Sequence, residues 1–346
     1  MARPRGVLVF GSVNLDLVLP CVHLPAAGET VAAADPLHLP GGKGGNQAFA
    51  AARAGAATRL AASLGHDAAA DAALDGLAQA GCDLSLTVRG TRPTGIAVVA
   101  IGPRRAAVDT ASGSSAFDNQ IIVAAGANAD LDDRAVADAD LAGMVLVTQN
   151  ETPAPALARL HRRARTADAV VVHNAAPARG RDAPPLIAVD WLVVNETEWA
   201  DLSGQAMDDD SAGDGQGGRS ADGALAAVLL AGRDALGLRA DQRVVLTLGP
   251  RGAAVLDGCD VLIQPAPAVA VVDSTGAGDA FVGAFAAGLV QDAAATGSAL
   301  AAGVAAGALA CGAVGARSAT PDAAAIAVMR AGLPPQRLVQ GQPSAR

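Results

Sequence analysis

Two glycine-rich runs carry the residues best suited to chemistry. The first is Asp273-Ser274-Thr275-Gly276-Ala277-Gly278-Asp279, between an apolar run at Ala268–Val272 and an Ala-rich stretch at Ala280–Leu289. The apolar run reads as a buried strand. The Ala-rich stretch reads as a helix with Phe281 and Phe285 one turn apart on its inner face. Two glycines at a strand-to-helix junction let backbone N–H groups converge, and the helix start adds the positive end of its dipole. Gly276, Ala277 and Gly278 therefore suit negative charge developing on a transferred phosphoryl group. Asp279, in the first turn, can accept the proton of an attacking hydroxyl. The same residues equally suit a plain helix start, with Ser274 or Thr275 as cap and Asp279 complementing the dipole.

The second run is Gly41-Gly42-Lys43-Gly44-Gly45-Asn46-Gln47, leading into a helix that ends at Ala54. Four glycines in five positions let the backbone approach a small ligand closely. Lys43 and Asn46 add directional donors and an acceptor. A flexible turn with a solvated lysine is the alternative. Neither run is a common nucleotide motif: Gly42-Lys43 continues into Gly44 rather than Ser or Thr, and Phe281 stands where a dinucleotide fingerprint needs its last glycine.

The whole chain bounds what these runs can serve. At 346 residues, 51% hydrophobic and 17% charged, it can bury a large core and is not globally disordered. A net charge of -9 excludes an extended basic footprint for nucleic acid. An acidic chain can hold a polyanionic nucleotide only through local cations, a metal ion or backbone N–H groups. Cys21, Cys82, Cys259 and Cys311 are too scattered for a zinc site or disulfide framework and read as reduced thiols. Val7–Phe10 is too short for a signal-peptide core, and the uncharged Ala299–Ala316 stretch reads as a close-packed core helix rather than a membrane span. The expectation is a soluble cytoplasmic protein with no nucleic-acid or membrane partner.

The elements that must position the two runs alternate. Val7–Phe10, Ile96–Ile101, Met144–Thr148, Ala169–His173, Trp191–Val194 and Val244–Leu248 read as strands. Gln47–Ala54, Ala68–Ala80, Pro155–Arg165, Ala221–Ala231 and Ala280–Leu289 read as helices. That order predicts a mostly parallel central sheet covered on both faces. Leu17–Leu39 and Thr94–Val123 hold extended pieces without helices between them and predict a small separate sheet. Residues 204–223 read as a mobile surface insertion and residues 334–346 as a flexible tail, within one domain over 1–333.

The motifs Gly-Gly-Lys-Gly-Gly-Asn-Gln-Ala and Asp-Ser-Thr-Gly-Ala-Gly-Asp-Ala-Phe-Val-Gly closely resemble the two signatures of the ribokinase-like (PfkB) carbohydrate kinase family. Further matches run collinearly from Gly11-Ser12-Val13-Asn14-Leu15-Asp16 through Gly28-Glu29-Thr30, Ala125–Ala129, Asn174–Ala178 and Asn195-Glu196-Thr197-Glu198 to Thr247–Gly252. The resemblance implies a three-layer α/β/α fold with a small β-sheet lid built from segments 14–40 and 92–124. It implies an ATP-dependent phosphotransferase acting on an alcohol group. Asp279 would be the base, and Asn14, Asp16, Gly42, Lys43, Asn46 and Glu151 would contact the sugar. It further implies that Asn195 and Glu198 organise Mg²⁺ and the phosphates through water, and that Thr247, Gly249, Arg251, Gly252 and Gly278 bind the nucleotide. By themselves Asn195–Glu198 could equally be a capping box and Thr247–Gly252 a strand-ending turn.

For the monovalent cation of the family, K⁺, the implied ligands are Asp273 and Thr275 with backbone carbonyls of Ala310, Ala313 and Gly315. Ala319 falls where the family pattern carries a serine and supplies no hydroxyl. A homodimer through the lid is also implied, and residues 102–118 look like an enlarged lid loop. The acceptor is open. Aromatics available to stack a nucleoside base are few, with only Phe117 in a lid segment, which favours a free sugar such as ribose. Arg89, Arg92, Arg104 and Arg105 keep a sugar phosphate in play. Fructose, a nucleoside and a non-catalytic sensor are the remaining alternatives.

Overall fold

The computed structural model describes residues 4–103, 117–206, 221–292 and 296–340. The expected enlarged loop falls mostly on 104–116, outside the described residues, as do 207–220 of the expected insertion.

The chain opens with β1 (Val7–Phe10), β2 (Asn14–Pro20), β3 (Leu37–Gly41), α1 (Lys43–Arg53), β4 (Thr58–Ala61), β5 (Ser63–Leu64) and α2 (Ala68–Leu74). It continues with β6 (Cys82–Asp83), β7 (Val88–Arg89), β8 (Gly95–Pro103), β9 (Phe117–Ala124), α3 (Asp138–Leu141), β10 (Val145–Gln149), α4 (Ala154–Thr166) and β11 (Val170–Asn174). There follow β12 (Trp191–Asn195), α5 (Glu196–Ser203), α6 (Ala221–Ala235), β13 (Arg243–Thr247), β14 (Ala253–Asp257) and β15 (Asp260–Gln264). The last elements are α7 (Ala277–Gln291), α8 (Thr296–Ala310), α9 (Ala323–Ala331) and β16 (Arg337–Val339).

A ten-stranded sheet runs β16-β15-β14-β13-β12-β11-β10-β1-β4-β6. From β6 to β13 neighbours are parallel, and β14 to β16 add an antiparallel end. The β-branched runs are buried on both faces, and alternate residues enter opposite cores. Leu8, Phe10, Leu146, Leu192 and Val194 join one core with Leu157, Leu160 and Trp199. Val7, Val9, Val145, Val147, Trp191 and Val193 join the other with Phe281 and Phe285. This double burial is why these strands read as continuous apolar runs rather than alternating ones. The three-layer α/β/α expectation holds.

The two helix-free regions form a second, four-stranded sheet ordered β3-β2-β8-β9. Its centre is the parallel pair β2–β8, with Asn14 opposite Gly95 and also opposite Gly41 of β3. A two-stranded sheet of β5 and β7 completes the set.

Small residues set the helix packing. A Cβ at Gly288 would come within 2.8 Å of the Ala299 backbone, so α7 and α8 approach backbone to backbone there. The missing Cβ of Gly303 makes room for the Phe281 ring, 2.9 Å from where it would stand. Among the described residues no helix is long and apolar enough to cross a membrane.

Three local expectations fail. Ala268–Val272 is not a buried strand: the segment is irregular and exposed, with Val271 66% accessible. Pro265 and Pro267 just before it remove ladder donors, and Val269 and Val271 line a cavity instead of the core. The helix expected over Ala68–Ala80 stops at Leu74, because Gly76 takes a left-handed φ of 78°. The stretch after Pro334 is not all frayed, since β16 pairs with β15 through Leu338 opposite Leu262.

Candidate active site

The parallel strands end on one side, and polar residues follow those ends. Gly11 to Asn14 follow β1, Gln149 to Thr152 close and follow β10, Asn174 ends β11, Asn195 ends β12 and Thr247 ends β13. This is the edge at which an open α/β sheet binds ligands.

The 41–47 run turns sharply off β3 and opens α1. Gly42 has φ 82°, and a Cβ there would stand 2.7 Å from the Asn14 nitrogen, so only glycine lets the turn seat on the β1–β2 link. Glu151 anchors the turn: its carboxylate accepts from the Lys43 N–H at 3.0 Å and from the Ser12 hydroxyl. Asn14 is buried, and its Oδ1 accepts from Asn128 at 2.7 Å. Asp16 lies against Gly41, where a Cβ would come 2.2 Å from its carboxylate. Its Oδ1 is buried without a hydrogen-bond partner, as are side-chain oxygens of Gln149, Asn150 and Thr152. A buried carboxylate oxygen left without a donor at Asp16 fits a ligand that brings hydroxyl donors.

Electrostatics mark the same spot. Burial, reinforced by Glu151 and Asp279, pushes the Asp16 carboxyl up to about 7, although Arg317 and Lys43 pull it back. Burial would lower the Lys43 ammonium, but Asp279, Glu151, Glu198 and Asp16 surround it and hold it above its ordinary value. Lys43 is thus the local cation that an acidic chain needs for a polyanion.

Asp279 comes to this cluster from the other glycine run. Its Oδ1 accepts from Gln47 at 2.9 Å and its Oδ2 from Asn46 at 3.1 Å. Gln47 is held in turn by Gln149, which donates to its Oε1 at 2.7 Å, and its Nε2 also donates to Asn174 at 3.0 Å. The helix-cap alternative for this loop fails. The N-cap of α7 is Gly276 at φ 77°, with no side-chain cap from Ser274 or Thr275. Ala277 donates back to Ser274 at 3.2 Å, while the Gly278 and Asp279 N–H groups belong to the first turn and have no intrahelical partner. A Cβ at Gly278 would meet nothing within 4 Å, so the approach is open.

Beside this helix start lies a cavity of about 710 Å³ lined by Thr247, Gly249, Gly252 and Gly278. Its apolar wall includes Val269, Val271, Phe281 and Val304. The chemistry fits a flat heterocycle with phosphates directed at α7. Arg251 is not among its lining residues: it lies exposed in an ion pair with Glu196. Asn195 and Glu198 do form a capping box, Asn195 Oδ1 accepting at 2.8 Å and Glu198 Oε2 at 2.9 Å. Each keeps spare capacity, and burial raises the Glu198 carboxyl despite the Asn195 bond and Lys43. The capping-box reading of this motif therefore holds.

The cation candidates assemble in part. Asp273 accepts from the Thr275 and Gly315 N–H groups at 2.9 Å each, and these bonds outweigh burial to lower its carboxyl. Ala310 ends α8, whose carbonyl end faces this segment through Cys311, acceptor from Val272 at 2.8 Å. The Gly315 carbonyl already accepts from Ala319 at 3.2 Å. An oxygen-only donor set suits a hard monovalent ion. Among the described residues no three His, Cys, Asp or Glu side chains cluster as a metal cage.

Sequence reasoning assigned no role to Ser12, Gln47, Asn128, Gln149, Asn174 or Arg317. Arg317 alone left a signal: it is the single charged residue between Asp292 and Asp322.

Residues 5–323 match the pfkB family carbohydrate kinase model, and the chain belongs to that family. It is a phosphotransferase with an alcohol group as acceptor. It is 30% identical over 290 residues to the ribokinase of Lactococcus lactis, covering 83% of this chain and 84% of that one. Mouse ribokinase is 32% identical, with 81% and 80% covered. The structure of Arabidopsis thaliana ribokinase complexed with ribose and ATP superposes with a TM-score of 0.76 at 27% identity, covering 95% of this chain and 99% of that one.

Proposed function

We propose that the chain transfers the γ-phosphoryl group of ATP to the primary hydroxyl of a free sugar, converting D-ribose to D-ribose 5-phosphate. The observation that carries this reading is the meeting of Asp279, at the uncapped start of α7, with Asn46 and Gln47 of the sugar loop, the glycine-rich 41–47 run that turns off β3 into the start of α1. Asp279 takes the proton of the attacking hydroxyl, and the first-turn backbone N–H groups of Gly278 and Asp279 face the charge that develops. Asp16, Asn14 and Glu151 receive and orient the sugar hydroxyls, and Lys43 offsets the phosphate charge. Asn195 and Glu198 would hold Mg²⁺ through water, which would supply neutralisation of the phosphate charge, and Asp273 would hold K⁺, which would supply positive charge near the anion hole. The unpartnered buried oxygen of Asp16 supports a hydroxyl-bearing ligand.

The β3-β2-β8-β9 sheet serves as the lid over the sugar. The exposed edge run Ile121 to Val123, up to 72% accessible at Ile122, supports pairing of two lids in a homodimer. Localisation is cytoplasmic. Against a sugar-phosphate substrate, Arg89 pairs with Asp71 and Arg92 with Asp130; Arg104 and Arg105 lie outside the described residues. A nucleoside is disfavoured because Phe10, Phe285, Trp191 and Trp199 are core residues and Phe281 lines the nucleotide cavity.

An ADP-release assay across ribose, fructose, adenosine, cytidine and fructose 6-phosphate, with and without K⁺, tests the reading. Turnover should be greatest with ribose and stimulated by K⁺. Preference for any other acceptor overturns the ribose assignment, and no turnover with any acceptor overturns the kinase reading.

A further inference from the structure

Arg317 is 6% exposed and lies beneath the sugar loop rather than in any surface ion pair. Its guanidinium makes four hydrogen bonds, all to oxygen. Nε donates to Asn46 Oδ1 at 3.1 Å and Nη2 to the Gly41 carbonyl at 3.1 Å. Nη1 donates to the Ala73 and Asp75 carbonyls at 2.8 and 3.2 Å. One side chain thus joins the end of β3, the first turn of α1 and the end of α2.

The chemistry of the guanidinium decides an orientation. It only donates, so the Asn46 atom facing it is the carbonyl oxygen, and the amide nitrogen must point the other way. That nitrogen donates to Asp279 Oδ2 at 3.1 Å. The loop is also shaped around the guanidinium, since a Cβ at Gly45 would stand 2.3 Å from Nη2. The backbone next to Arg317 touches the phosphoryl side: Gly315 donates to Asp273 at 2.9 Å, and Ala316 packs on Gly276 closely enough that a Cβ there would lie 2.6 Å away.

We infer that Arg317 is a positioning residue for the sugar half of the site, holding the Gly41 turn and Asn46 in the geometry that receives the sugar and orients Asp279. It rests on the phosphoryl-transfer reading above and acts through Asn46 and the Gly41 carbonyl, touching no reacting atom itself. A lysine cannot replace it, because one ammonium cannot serve carbonyls on three elements in the fixed directions of the guanidinium fork.

The test compares Arg317→Lys and Arg317→Met with the unaltered full-length enzyme, using ribose or whichever sugar of the panel supports turnover. KM for sugar, KM for ATP, kcat and the thermal midpoint are measured, together with a cycle against Asn46→Ala. The expected result is a rise of about tenfold or more in sugar KM with a fall in kcat, and ATP KM within about twofold. In the cycle, Arg317→Lys added to Asn46→Ala should lower kcat/KM little further, as coupled residues behave. Equal rises in both KM values, or losses that add in the cycle, would mean a general structural role and overturn the inference. If neither Arg317 variant folds, Gly45→Ala crowds the guanidinium instead, and an unchanged sugar KM there overturns it. Asp279→Asn separates the two readings. Full activity in that variant would remove the base, while calorimetric sugar affinity without nucleotide would still report on Arg317.

Discussion

Gln47 donates its side-chain amide to Asp279 Oδ1 at 2.9 Å, although the two residues lie 232 positions apart. The contact ties the sugar loop to the start of α7, so the proposed base is aimed by the element that holds its substrate. Gln149 fixes the Gln47 amide from behind, which leaves Gln47 one orientation in which to donate.

Asp279→Asn should lower kcat by about 10²- to 10⁴-fold, the usual worth of a positioned base. ATP binding, measured by calorimetry with a non-hydrolysable analogue, should stay nearly unchanged. Wild-type turnover in this variant would exclude Asp279 as base.

Gln47→Leu removes one of the two side-chain donors that orient Asp279 while keeping the volume. We expect kcat to fall about tenfold with KM for ATP unaltered, as for loss of one aligning hydrogen bond worth about 1–1.5 kcal/mol. Steady-state kinetics at saturating sugar checks this.

Gly276→Ala should damage the phosphoryl side selectively. A methyl at φ 77° costs about 1–2 kcal/mol of backbone strain and would stand 2.6 Å from Ala316. Displacing the first-turn N–H groups should reduce kcat more than sugar affinity. A variant with normal kcat would show that these donors do not face the reacting phosphoryl group.

Sugar affinity should weaken on the acid side. Asp16, lifted to about 7 by burial and by Glu151, can accept from sugar hydroxyls at both oxygens only when ionised. KM for sugar should therefore rise as pH falls through 7, and Asp16→Asn should bind weakly at every pH with that limb gone. A wild-type KM flat from pH 8 to 6 would refute this.

Acid should also destabilise the fold through His161 and His173, both fully buried and bridged by the Thr148 hydroxyl at 2.9 and 3.0 Å. Burial lowers His161 to about 4 and His173 well below 6.5. The unfolded chain binds protons that the folded one refuses, so stability falls as pH drops from about 6.5 towards 4, by about 3 kcal/mol for a full shift of that size at one histidine. Denaturant midpoints measured across that range should decline, and a constant midpoint would contradict the burial argument.

Much of this protein is local and was legible in the residue order. Buried parallel strands announce themselves because both faces need apolar side chains, as in Val7–Phe10 and Trp191–Asn195. The two glycine runs are equally legible, since close backbone approach and left-handed turns at Gly42 and Gly276 demand glycine whatever surrounds them. The apolar run Ala268–Val272 misleads for a physical reason: composition does not distinguish side chains that line a ligand cavity from those that fill a core.

What only the tertiary structure decided is which polar groups meet. Periodicity carries no information about contacts between positions 46, 47, 279 and 317, because those pairings arise from how α1, α7 and the segment after α8 pack on the sheet. Tertiary packing also decided that Asn195–Glu198 caps a helix while facing the site. It turned a solitary arginine in an uncharged stretch into the buried support of the sugar loop, since a buried charge is tolerated only where the fold brings oxygens to each of its donors.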